Sequence, residues 1–92
     1  MNLEHIKALF SKHKERHLYH RYITNDHIAP LLKKLESFVK VDVIGKSVLN
    51  DSIYGIEIGH GKKRILMWSQ MHGNESTTTK AIFDVLNTLL DK

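Results

Sequence analysis

The hydrophobic period of this chain changes once, near residue 41, and that change decides what it can fold into. Upstream, Leu3, Ile6, Leu9 and Phe10, and then Ile28, Leu31, Leu32, Leu35 and Phe38, recur at the spacing of one face of an α-helix. Thr24, Asn25 and Asp26 can each cap the second of these helices, and Pro30 suits its first turn better than its interior. Downstream, "VDVIGKS" and "SIYGIEIG" alternate, the second placing Tyr54, Ile56 and Ile58 on one side of a strand. "LND" carries turn residues between them, and "GHGKK" has the glycines of a tight hairpin leading to "RILMWSQ". Because "ILMW" is apolar at odd and even positions alike, this third strand is expected to be covered on both faces. Ala81, Ile82, Val85, Leu86, Leu89 and Leu90 then give a last helix a wide apolar stripe. The order expected is helix, helix, strand, strand, strand, loop, helix, with a helical segment over 1–40 and an α/β segment over 41–92.

Composition narrows the chemistry. A chain of 92 residues holds one small domain with a thin core. It has no cysteine, so any metal must be held by nitrogen and oxygen. The longest apolar run, "ILMW", falls far short of the stretch of about 20 residues that spans a bilayer. The N-terminus "MNLEHIKALFSKHKE" has neither the apolar core nor the cleavage site of a secretory signal, which points to a cytoplasmic protein. The net charge of +4 is concentrated in residues 1–40, where eight Lys/Arg face four Asp/Glu. These basic residues are scattered among leucines at helical spacing, which describes a solvated helix face rather than a nucleic-acid surface.

The chemically suggestive stretch is "WSQMHGNEST", which sets His72 and Glu75 three positions apart directly after the apolar run. An imidazole nitrogen and a carboxylate oxygen are both sound zinc ligands, and a loop leaving an inner strand can aim both at one point. Gly73 and Asn74 tolerate the backbone such a loop needs. The plainer reading makes Glu75 a favourable charge at the start of the last helix and His72 an exposed loop residue. The three histidines at 13, 17 and 20 would share one face of a continuous helix, but their basic neighbours disfavour a second metal site there. His5, His27 and His60 read as surface residues, Trp68 as a packed aromatic, and Ser76 with the following threonines as helix caps rather than nucleophiles.

The run "RILMWSQMHGNESTTTKAIFDVLNTLL", preceded by "VIGKSVLNDSIYGIEIGHGKK", resembles the N-terminal portion of the zinc metallocarboxypeptidases, the carboxypeptidase A-like peptidases. The family's two early strands, hairpin, apolar strand, H-x-x-E and helix appear in order from about Val43 onward, and "DHIAPLLKKLESF" lies where the family also has a helix. The resemblance implies a truncated three-layer α/β/α fold whose small, mainly antiparallel three-stranded sheet is flanked by helices. It also implies a zinc cofactor with His72 and Glu75 as its first two ligands, and removal of C-terminal amino acids from peptide substrates. In the family the third ligand, a histidine, and the general-base glutamate come later than Lys92. This chain is therefore expected to be a fragment holding part of a site, inactive alone, with sheet edges open to self-association. Two alternatives stand beside this reading. One is a zinc amidohydrolase like the succinylglutamate desuccinylase and aspartoacylase enzymes, which share an H-G-N-E-like segment. The other is a non-catalytic module that binds an acidic partner through its basic N-terminal segment.

Overall fold

A computed structural model describes residues 2–91. The chain divides into two compact units, one made of Met1–Ile23 with Trp68–Lys92 and the other of Thr24–Met67.

In the first unit, α1 (Leu3–His13) starts where the Asn2 side chain accepts the His5 N–H at 2.8 Å. Glu4 in its first turn and Lys12 and His13 in its last complement the helix dipole. The expected apolar stripe does not supply the burial, since Leu3, Ile6 and Phe10 stay exposed while His13 is buried. Polar contacts at the C-terminal end take over that role and join α1 to α3 (Thr77–Leu90), which contacts it. The His13 ring meets the Leu9 carbonyl and the Asp91 carboxylate, the Asp84 carboxylate accepts the Glu15 N–H at 2.7 Å, and the Asn87 amide donates to the His13 carbonyl. Phe83 and Leu86 of α3, with Leu18 and Ile23, are the buried apolar residues of this unit.

The second unit holds α2 (Asn25–Leu35) and a hairpin of β1 (Lys40–Lys46) and β2 (Ser52–Glu57). Thr24 is the N-cap, and the Nδ1 of His27 accepts the Thr24 N–H at 2.9 Å, closing a reciprocal cap. His27 thus has a local structural task that its sequence position does not advertise. Pro30 stands in the second turn rather than the first. Leu31 and Leu32 are buried as the periodicity expects, whereas Phe38 lies beyond the helix and is exposed. The strands pair antiparallel with Val41 opposite Ile56 and Val43 opposite Tyr54. The register slips between Val43 and Gly45, leaving Ile44 as the extra residue of a bulge. The connecting turn is closed by the Ser47 N–H to the Asp51 carbonyl and by the Ser47 hydroxyl accepting the Asp51 N–H, with Asn50 at φ 67°, a conformation asparagine adopts more readily than most residues.

The expected third strand is not formed. Among the described residues the sheet has two strands, and "RILMWSQ" runs without regular structure, with Ile65 and Leu66 more than four-fifths exposed and Trp68 also exposed rather than packed. An inner strand needs a neighbour to pair its N–H and C=O groups and layers to cover its two faces. This run has neither here, and it serves as the connector in which one unit gives way to the other. No described helix is long and apolar enough to cross a membrane.

Candidate metal centre

His72 and Glu75 sit on the loop that enters α3. The Glu75 N–H bonds to the His72 carbonyl at 3.0 Å, so the two residues are the ends of a four-residue turn whose centre is Gly73-Asn74. That closure brings their side chains together. The Nδ1 of His72 lies 3.4 Å from Oε2 of Glu75, and both side chains are about two-thirds open to solvent, at 68% and 69%. Two donors sharing one tetrahedral zinc at ordinary bond lengths stand roughly 3.4 Å apart. The pair therefore stands at about the separation of two donors on one ion, on side chains that are open to solvent. A nitrogen and a hard oxygen suit zinc, and the donor set fits two positions of its shell. Among the described residues no group of three or more His, Cys, Asp or Glu side chains could hold a metal ion, so the third position is not supplied there.

The turn rests on a polar network. The Gln70 amide nitrogen donates to the carbonyls of Gly73 and Ile23, while its oxygen accepts the Thr79 hydroxyl at 2.7 Å. Ser69 and Thr79 share a hydroxyl contact of 2.8 Å. Ser76 occupies the N-cap position of α3, but its hydroxyl makes no capping bond; it accepts the Ile23 N–H at 3.0 Å instead. The expected cap is therefore diverted to hold a remote stretch of backbone. Lys80 N–H takes the Ser76 carbonyl as the first bond of the helix.

The histidines at 13, 17 and 20 do not gather, because α1 ends at His13 and the helical face they would have shared stops there. His13 is committed to Leu9 and Asp91, His17 bonds the Glu15 carboxylate at 2.9 Å, and the His20 ring stacks on Tyr19 with centroids 4.1 Å apart. The residues that sequence reasoning missed are Gln70 and Thr79. Gln70 carried one faint signal, a polar residue interrupting the apolar run two positions before a histidine; nothing local announces a bond to Ile23, 47 positions away.

Residues 24–92 match the family model described as zinc carboxypeptidase. No curated protein and no solved structure matches the chain.

Proposed function

Because this chain belongs to the zinc carboxypeptidase family, we propose that His72 and Glu75 are two ligands of a zinc ion in an enzyme that removes C-terminal amino acids from peptides. The observation that carries the reading is the 3.4 Å approach of the imidazole to the carboxylate on a turn inside the matched span. The family match favours this reading over the desuccinylase-like and non-catalytic alternatives.

When bound, zinc supplies Lewis acidity for a water and for the scissile carbonyl. What the residues of this chain do is hold and orient. His72 offers Nδ1 toward the shared point, Glu75 offers Oε2, and the His72–Glu75 turn keeps them on one side of the loop. Residues 41–92 make up the beginning of the peptidase-like α/β domain in this proposal, with 1–40 as its helical preface. The exposed run "ILMW" is the strand that such a domain would bury, and the surface through which copies of this chain associate. Among the described residues no third ligand stands with the pair, so these two donors by themselves hold zinc weakly.

The test is a zinc titration followed at the His72 ring by NMR, on the unmodified chain, His72→Ala and Glu75→Gln. Zinc should shift the His72 ring signals in the unmodified chain, and Glu75→Gln should weaken that response. Zinc affinity equal in the unmodified and His72→Ala chains, with no response at the His72 ring, would defeat the reading.

A further inference from the structure

Resting on the zinc-site reading, we propose that Gln70 is a positioning residue for the His72–Glu75 pair, acting through the carbonyl of Gly73 and the hydroxyl of Thr79. Gln70 touches neither ligand. Its position is nevertheless unusual on two independent counts. Its φ is 56°, in the left-handed region that residues with a side chain seldom enter, and it holds that conformation without being glycine, asparagine or aspartate. Its side chain has a partner for each polar group, with both amide hydrogens directed at carbonyl oxygens and the amide oxygen facing a hydroxyl. That arrangement fixes the orientation of the amide, since the flipped form would set its oxygen against two acceptors.

The proton order of the network follows. The Thr79 hydroxyl donates to Gln70, so the Ser69 hydroxyl must be the donor in its contact with Thr79. Thr79 is 6% exposed and sits in the first turn of α3, which makes it a firm anchor. Gly73 lies between the two ligands, and Ile23, which takes the other amide hydrogen, is 3% exposed. One side chain therefore ties the centre of the ligand turn to the start of the helix and to a buried backbone segment. Among the described residues the two exposed ligand side chains bond only to each other, so the separation that suits zinc depends on this brace beneath the turn. Groups that hydrogen-bond a metal ligand directly commonly change affinity by about 10–100-fold when removed, and Gln70, acting one bond further out through Gly73, is expected to fall within that range.

Gln70→Gly separates the brace from the backbone, because glycine accepts the positive φ at no steric cost while losing the amide. Thr79→Val removes the hydroxyl at nearly constant volume, and Thr79→Ser keeps it. Each variant is made in the full chain, with zinc alone as the probe. Two quantities are measured: zinc affinity at the His72 ring, and the nuclear Overhauser contact between the His72 ring and the Glu75 side chain without zinc. Circular dichroism reports helix content. Gln70→Gly should lose about 10–100-fold in zinc affinity along with the His72–Glu75 contact, at unchanged helix content. Thr79→Val should show a smaller loss that Thr79→Ser restores. A folded Gln70→Gly with unmodified affinity and contact would overturn the proposal. If that variant does not fold, identical behaviour of Thr79→Val and Thr79→Ser would do so. Should the unmodified chain show no zinc response at His72, the zinc reading fails by itself, and the zinc-free contact still decides the role of Gln70.

Discussion

The Nε2 of His13 lies 2.7 Å from Oδ2 of Asp91, joining the last turn of α1 to the residue that ends α3 across 78 positions of sequence. The same carboxylate receives the Lys12 ammonium at 2.9 Å. The His13 hydrogen bond, followed by that of Lys12 and its charge, holds the Asp91 carboxyl below the usual aspartate value. A carboxyl whose folded value is lowered stabilises the fold fully above its unfolded value and loses that contribution as pH falls through the folded one. Urea midpoints should therefore drop on the acid side of the ordinary aspartate range, and Asp91→Asn should flatten part of that drop while lowering the midpoint at neutral pH. An acid limb unchanged by Asp91→Asn would show that the pair does not contribute. Added salt should weaken the effect, because the carboxylate is partly open to solvent.

Asp84 does a different task a little earlier on α3. Its Oδ1 takes the Glu15 N–H just after α1 ends, while the Asn87 amide serves both the His13 carbonyl and the Glu15 carboxylate. Burial pushes the Glu15 carboxyl up, but hydrogen bonds from His17 and Asn87 outweigh it and hold the carboxyl below its ordinary value. Asp84→Ala leaves the Glu15 N–H without its acceptor and should cost about 1–3 kcal/mol by urea unfolding. Asp84→Asn keeps an oxygen in place and should lose less. Equal losses for the two would mean that packing, not the hydrogen bond, sets the effect.

In the hairpin, a Cβ added at Gly55 would lie 2.8 Å from Cγ2 of Ile44, the residue that the bulge inserts. That methyl sits on a β-branched centre with few rotamers to retreat into. Gly55→Ala should destabilise by about 1 kcal/mol, the low end of overpacking costs, because Ile44 is exposed and has room to turn away. Adding Ile44→Ala should recover most of the loss, and a double-mutant cycle in chemical denaturation measures the coupling. Zero coupling would show that the bulge side chain does not guard Gly55.

The helices and the first two strands were legible because their signals are local. Leu31 and Leu32 fall where the 3.6-residue period puts them, and two strands form where the pattern alternates, although the bulge at Ile44 that sets Val43 opposite Tyr54 has no such signal. The His72–Glu75 pair was legible for the same reason, since a turn of four residues brings its ends near one another, although the bonds of Gln70 that brace that turn were not. What the sequence concealed depends on partners far along the chain. His13, one of three histidines at the spacing of a single helix face, is buried because Asp91 and Asn87 reach it from the other end. Ser76, an obvious cap by composition, accepts the Ile23 N–H with its hydroxyl oxygen instead. The run "RILMWSQ" has the composition of an inner strand, but a strand is a property of a pair, and composition does not supply the partner.

That run yields the last prediction. Ile65, Leu66, Met67 and Trp68 expose contiguous apolar side chains at 81%, 84%, 56% and 64%, on backbone that no strand of the sheet pairs. A stretch of this kind, without a charge inside it, is the usual template for association between chains, by apolar contact and by strand pairing together. Replacing Leu66 with lysine puts a charge at its centre and removes a large apolar side chain, at a position outside the His72–Glu75 turn in sequence. The unmodified chain should sediment as a concentration-dependent mixture, and Leu66→Lys should shift it toward the monomer with helix content and the His72–Glu75 contact preserved. A charge at an exposed position that anchors nothing should change stability by no more than about 0.5 kcal/mol. Association unaffected by Leu66→Lys would move the contact surface away from this run, and a large loss of stability would show that Leu66 already has a partner within its own chain.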